Sequence, residues 1–136
     1  MGTAIDRKRL FKILAYLIFL LFLLNYIGSK FYWYFSIWWF DMPMHFLGGF
    51  CVGIGLIWFF SRPSLRFQLE PKALASFLFK IFLGVLLIGV LWELFEILFN
   101  NIIAQDSFYI LDTVSDVFFD LAGGTFATLY FLKLKV

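Results

Sequence analysis

Six acidic side chains and the only histidine lie in or beside the long apolar segments of this sequence. The chain has nine acidic residues and one histidine. The seven residues are Asp41, His45, Glu93, Glu96, Asp112, Asp116 and Asp120. A charged group at the centre of a membrane helix costs about 3 kcal/mol on insertion scales, so such groups usually face the bundle interior and mark a functional site.

The spacing of these residues predicts that they share helix faces. Residues three or four apart lie on one face of a helix. The predicted faces are Asp41 with His45, Glu93 with Glu96, and Asp112 with Asp116 and Asp120. Small residues such as glycine continue these faces, and they let helices approach closely in lipid. We therefore expect the polar faces to meet inside one bundle.

So many carboxylates in a low dielectric cannot all stay ionised without a source of positive charge. Bound protons, access to water or a bound cation would each lower the electrostatic cost of clustering these carboxylates. Carboxylates with one imidazole suit Mg²⁺, Mn²⁺, Fe or Zn²⁺, and helix bundles hold metals with such groups. The predicted metal ligands are His45, Glu93, Glu96, Asp112, Asp116 and Asp120. The predicted catalytic residues are Asp41, His45, Glu93, Glu96, Asp116 and Asp120.

The elements that carry these residues have the composition of a membrane protein. Of the 136 residues, 63% are hydrophobic and only 15% are charged, with a mean hydropathy of +0.94. Four apolar segments, at about 10–27, 43–60, 77–99 and 113–132, have the length of roughly 20 residues that crosses a bilayer. The sequence predicts an all-α integral membrane bundle of about four transmembrane helices, forming a single transmembrane domain over 1–136.

An aromatic segment separates the first two apolar segments. It runs Phe31-Tyr32-Trp33-Tyr34-Phe35 and continues to Trp38-Trp39-Phe40. Aromatic residues concentrate at the membrane–water interface. We expect an interfacial segment before the second helix.

Basic residues indicate the orientation of the bundle. If the segments alternate in direction, Lys30 alone of the eleven Lys and Arg residues falls on the side of the carboxylates. The positive-inside rule then places both termini in the cytoplasm, in a multi-pass protein of the cell (inner or cytoplasmic) membrane. The carboxylates would occupy the outer half of the bundle.

Charge and cysteine content exclude other classes of protein. The net charge is only +2, and the basic residues lie at segment ends, so a nucleic-acid partner is not expected. Cys51 is the single cysteine, which excludes an intramolecular disulfide framework and a cysteine-pair metal site. Membrane lipid is the expected partner.

Three ordered motifs resemble the YjdF-like inner-membrane proteins of uncharacterised function. They are Asp41-Met42-Pro43-Met44-His45-Phe46-Leu47-Gly48-Gly49-Phe50, Glu93-Leu94-Phe95-Glu96 and Asp116-Val117-Phe118-Phe119-Asp120. The sequence is more loosely similar to the wider VanZ-like group. Glu96 and Asp120 depart from that group, which has Gln and Asn there. The resemblance implies a membrane location and marks positions, and it implies no reaction.

The residues leave three functions open. The first is a metal-dependent enzyme acting on a lipid or lipid-linked group at the outer leaflet. The second is a non-enzymatic ion or proton site. The third is a structural or accessory membrane protein whose polar contacts fix helix packing. Bound metal, together with a chemical activity lost on mutation, distinguishes the first function from the others.

Overall fold

The computed structural model describes residues 7–61, 71–99 and 109–135, and these residues are helical with short turns. The helices are α1 (Arg7–Lys30), α2 (Trp33–Ser36), α3 (Asp41–Phe60), α4 (Pro71–Phe99) and α5 (Tyr109–Lys135). No strand occurs within the described ranges. The predicted all-α class is confirmed for this part of the chain.

Three of these helices are long and apolar enough to cross a membrane. They are Arg7–Lys30, Asp41–Phe60 and Pro71–Leu98. The fourth predicted segment corresponds to α5, which has 27 residues but is not among the three candidate spans. Its three aspartates and three threonines make it less apolar than α3 and α4.

The helices extend beyond the apolar segments that predicted them. The largest difference is in α4, which begins at Pro71 and not near residue 77. Proline is well tolerated at the first helical position, because its missing N–H would have no partner there. The apolar pattern did not reveal this polar first turn. The polar stretches between the apolar segments, at 62–70 and 100–108, lie outside the described residues.

Helix α3 occupies the centre of the bundle. It contacts α1, α4 and α5, and α5 is its closest partner. Two glycines allow this approach. A Cβ at Gly49 would overlap the carbonyl group of Asp120, and a Cβ at Gly123 would overlap the carbonyl oxygen of Phe46. Glycines thus bring the α3 and α5 backbones into contact, as small residues do between helices in lipid.

The two ends of the bundle differ in character. An apolar core fills the end where α1 and α4 begin and α3 and α5 finish. Its buried residues are Leu10, Ile57, Phe77, Ile81, Val85 and Phe131. At the same end the Arg7 guanidinium lies 4.9 Å from the ring centroid of Trp58, so α1 runs antiparallel to α3. The polar residues gather at the opposite end.

The aromatic segment connects α1 to α3 at the polar end. Tyr32 has a left-handed backbone with φ of 58°, which turns the chain out of α1 and into α2. The Phe40 ring packs directly against Gly28. A Cβ at Gly28 would lie only 2.5 Å from Phe40 Cε1. The Tyr34 hydroxyl donates a hydrogen bond of 2.7 Å to Asn25 Oδ1. These contacts fix the start of α3 against the end of α1, while an interfacial location stays a prediction.

Candidate functional site

The His45 imidazole lies at the centre of a group of carboxylates from three helices. Its Nε2 is 3.7 Å from Asp41 Oδ2 in the preceding turn of α3 and 3.9 Å from Asp116 Oδ2 of α5. It is 4.0 Å from Glu93 Oε1 of α4. On the other edge of the ring, Nδ1 is 3.5 Å from Asp120 Oδ1. We refer to these residues with Glu96 as the carboxylate–histidine site.

These distances leave a gap on the Nε2 side of the ring. Hydrogen bonds between nitrogen and oxygen are about 2.7–3.2 Å long, so none of the three Nε2 distances is a hydrogen bond. Two donors on a tetrahedral metal with bonds of about 2.1 Å would be about 3.4 Å apart. A shift of a few tenths of an ångström in each side chain would therefore bring His45 Nε2 to metal-ligand spacing from Asp41 Oδ2 and from Asp116 Oδ2.

The donor atoms form two sets that share His45. One set adds Asp41 and Asp116, and the other adds Glu93 and Glu96; within each set the ligand atoms lie within 4.8 Å of one another. The i, i+4 spacing of α3 places Asp41 and His45 on one face. Helices α4 and α5 contribute the remaining carboxylates from the facing sides.

Asp120 is held close to the imidazole by the glycines around it. A Cβ at Gly89 of α4 would lie 2.7 Å from Asp120 Oδ2, and a Cβ at Gly48 would lie 3.8 Å from Oδ1. Asp120 is only 7% exposed. The carboxylate therefore lies between α3 and α4 beside Nδ1, where it can accept a hydrogen bond from Nδ1–H and leave the Nε2 lone pair for another partner.

The two glutamates of α4 differ in their contacts. Trp92 donates a hydrogen bond of 3.0 Å from Nε1 to Glu96 Oε1. Glu93 is 4% exposed, and among the described residues its Oε1 has no hydrogen-bond partner. A buried carboxylate oxygen without a partner is costly. Within the described residues, Glu93 Oε1 is thus available to bind a ligand.

The site has more negative than positive charge. It holds five carboxyl groups, and the ion-pair distances found for them among the described residues all go to His45. One imidazolium would balance one carboxylate. The Asp41 side chain is 36% exposed, so an ion or polar group has access from the polar end of the bundle.

Tyr34 of α2 lies near the entrance to the site. Burial raises the pKa of its phenol to about 12, and the negative charges of Asp41 and Glu96 act in the same direction. A phenol with this pKa stays protonated at physiological pH. Tyr34 thus remains a hydrogen-bond donor to Asn25 near the charged residues.

The structure brings together six of the seven residues that the sequence singled out. Asp112 is exposed and belongs to neither donor set, so its role as a ligand stays a prediction. Sequence reasoning missed Trp92 and Tyr34, which contact or lie near the glutamates, and Thr113, whose buried Oγ1 has no partner in the described part. Thr113 precedes Asp116 by three residues, which was the available signal.

Comparison with known families agrees with this architecture. The family described as "Predicted membrane protein (DUF2238)" matches residues 3–135. The chain belongs to the DUF2238 family. The resemblance to the YjdF-like proteins, which are this family, is therefore confirmed. No curated protein and no solved structure matches this DUF2238 chain, and the looser VanZ-like grouping stays a prediction.

Proposed function

We propose that this DUF2238 protein binds a divalent metal at the carboxylate–histidine site and uses it to act on a lipid or lipid-linked group. His45 Nε2, Asp41 and Asp116 are the proposed ligands. Asp120 orients the imidazole through Nδ1. Glu93 and Glu96 complete the site from α4, either as further ligands or as acid and base groups.

One observation carries the proposal. The Nε2 side of a buried imidazole faces three carboxylates at 3.7, 3.9 and 4.0 Å, while the Nδ1 side faces a fourth. This is the arrangement of a carboxylate–histidine–metal triad, in which the second nitrogen of the ring bonds an outer carboxylate. A metal between these donors would also offset the excess negative charge.

The proposed topology places the site in the outer half of the membrane. We infer that α5 is a fourth span, because it packs along α3, which is one of the three candidate spans, and that its aspartates face the bundle and not lipid. Asp116 and Asp120 are indeed buried. The basic residues at the opposite end favour cytoplasmic termini in the cell membrane.

In this proposal the metal would supply the chemistry, and the protein would position the metal. A divalent metal polarises a phosphoryl oxygen or activates water. The nitrogen and oxygen donors suit Mg²⁺, Mn²⁺, Fe or Zn²⁺. Because basic side chains are concentrated at the other end, a metal is the proposed source of positive charge for a phosphate group. The proposed substrates are accordingly membrane lipid phosphates or lipid-linked sugars.

Activity is tested with purified protein in vesicles that contain lipid phosphates or lipid-linked sugars, with Mn²⁺ added. We expect wild-type protein to consume one substrate class, as followed by mass spectrometry. Asp116→Asn should lower the rate by at least about 100-fold, the lower part of the range for acid–base or metal groups. The matched control Asp112→Asn, at an exposed position of the same helix, should retain the rate. No Mn²⁺-dependent turnover of either class would refute the enzymatic role.

Topology is tested with single cysteines in a Cys51→Ala background. Ser36→Cys lies in α2 at the polar end, and Ser76→Cys lies in α4 at the basic end; both positions are exposed. The cells are intact, but their outer envelope is made permeable so that the reagent reaches the outer face of the cell membrane. We expect a membrane-impermeant maleimide to label Ser36→Cys and not Ser76→Cys. The reverse labelling would place the site on the cytoplasmic side.

A further inference from the structure

An open hollow lies between α1 and α3 at the basic end of the bundle. It has a volume of about 410 Å³ and is lined by Arg7, Lys8, Phe11, Lys12 and Trp58. The first four of these residues lie on one side of α1, because residues four apart share a helix face. Trp58 lies in the last turn of α3. The hollow is therefore separate from the carboxylate–histidine site, which lies at the opposite end.

Two aromatic rings in contact with each other line the hollow. The ring centroids of Phe11 and Trp58 are 5.9 Å apart, and the Arg7 guanidinium lies 4.9 Å from the Trp58 centroid. A cation over a tryptophan ring is attracted by the ring electrons. These contacts hold the start of α1 against the end of α3, so the hollow is a product of the helix packing.

The residues that line the hollow carry three positive charges. Lys8 and Lys12 are one turn apart on α1 and exposed, and like charges at this spacing repel each other. No acidic residue occurs among the described residues of the lining. An anion bound in the hollow would reduce this repulsion.

The inner surface of the hollow is nevertheless mostly apolar. Lysine and arginine commonly cover apolar surface with their methylene stems, while the charged group stays in a polar layer. A ligand that suits this hollow therefore has an anionic group joined to an apolar part. Free phosphate has no apolar part, whereas an anionic phospholipid has both.

We propose that this hollow binds an anionic phospholipid from the leaflet at the basic end of the bundle. Lys8 and Lys12 bind the anionic headgroup, and an acyl chain packs against Phe11 and Trp58. Basic pockets between membrane helices bind anionic headgroups in this way. The site depends neither on the proposed metal nor on the proposed reaction.

Quenching of Trp58 fluorescence by brominated lipids tests this site. The full chain is placed in nanodiscs of phosphatidylcholine with a minority of phosphatidylglycerol, and the acyl chains of one lipid or the other carry bromine. Each chain is measured beside its Trp58→Phe counterpart, so that the difference isolates Trp58 from the other tryptophans. Both leaflets of a nanodisc have the same composition, so the orientation of the protein does not affect the result.

Two double variants show whether the lysines of the hollow select the lipid. Lys8→Gln with Lys12→Gln removes two positive charges from the hollow. Lys72→Gln with Lys80→Gln is the matched control, because it removes two positive charges from exposed positions in the basic half of α4.

We expect bromine on phosphatidylglycerol to quench Trp58 at least about fivefold more per mole than bromine on phosphatidylcholine, the preference that one basic side chain gives near a lipid surface. The variant in the hollow should lose this preference, and the α4 control should keep it. Equal quenching by both lipids in wild type, or equal losses in the two double variants, would overturn the proposal. If the variant in the hollow does not fold, the wild-type comparison still decides.

Inorganic phosphate distinguishes a lipid from a free anion. Added at constant ionic strength, it should leave the quenching by brominated phosphatidylglycerol unchanged. Relief of the quenching would mean that the hollow binds free phosphate, and it would overturn the assignment to a lipid. Because this experiment needs no metal, its failure would leave the proposed function intact.

Discussion

Asp116→Asn is expected to weaken Mn²⁺ binding to the purified protein by more than about 100-fold, beyond the 10–100-fold that loss of an outer partner typically costs. Asp116 is 3% exposed, and its Oδ2 lies 3.9 Å from His45 Nε2. The substitution replaces a charged donor with a neutral amide at nearly the same volume. Titration followed by electron paramagnetic resonance measures the free Mn²⁺.

Two other aspartates of α5 make the result specific. Asp112→Asn removes the same charge from an exposed position of that helix, and we expect it to change affinity only a few-fold. Asp120→Asn should fall in between, since Asp120 approaches the far nitrogen of His45 at 3.5 Å. Equal losses in all three variants would mean that Mn²⁺ responds to general negative charge and not to a defined set of ligands.

Gly49→Ala should destabilise the bundle by about 3 kcal/mol or more, at or above the upper end of the usual cost of overpacking. The added methyl group would overlap the Asp120 carbonyl group. A backbone group cannot turn away as a side chain can, so α3 and α5 must separate. The free energy of unfolding is measured in mixed micelles by titration with a denaturing detergent.

Gly55 provides the matched control on α3. A Cβ there would meet only Leu14, at 3.8 and 4.0 Å, which is ordinary contact. Gly55→Ala should therefore be neutral or stabilise by up to about 1 kcal/mol, because alanine is the better helix former. If both alanine variants had the same stability, the close approach of α3 and α5 would be wrong. Separation of these helices should also displace Asp120 from His45, so metal binding should fall in Gly49→Ala.

Residue spacing predicted the side chains that meet because helical periodicity is local. Asp41 and His45 are four residues apart, and so are Asp116 and Asp120, which fixes each pair on one face before any packing is known. The cost of ionisable groups in lipid then directs these faces inward. The structure brings the two pairs together around the imidazole.

The sequence alone did not reveal which atom of each group faces which. Which ring nitrogen of His45 faces Asp120 depends on the position of α5 along the axis of α3. The contacts of Gly49 with Asp120 and of Gly123 with Phe46 set this position. Glycine positions can be read from the sequence, but their partners on another helix cannot.

Thr113 illustrates the same limit. A threonine within an apolar helix usually bonds its own backbone, as Thr128 does. Only the packed structure shows that the Thr113 hydroxyl is buried and without a partner in the described part. The start of α4 at Pro71 was missed for a different reason. Its first turn is polar, so the apolar pattern that predicted the helix does not include it.

The metal content of wild-type protein tests the central claim most directly. The protein is purified from membranes in detergent without chelators, and divalent metals are quantified by mass spectrometry beside Asp116→Asn and Glu93→Gln. We predict about one divalent metal per chain in wild type, as expected of a site with several converging donors, and loss of that metal in both variants. Folded wild-type protein that holds no metal, even after incubation with Mg²⁺, Mn²⁺, Fe²⁺ and Zn²⁺, would contradict the account.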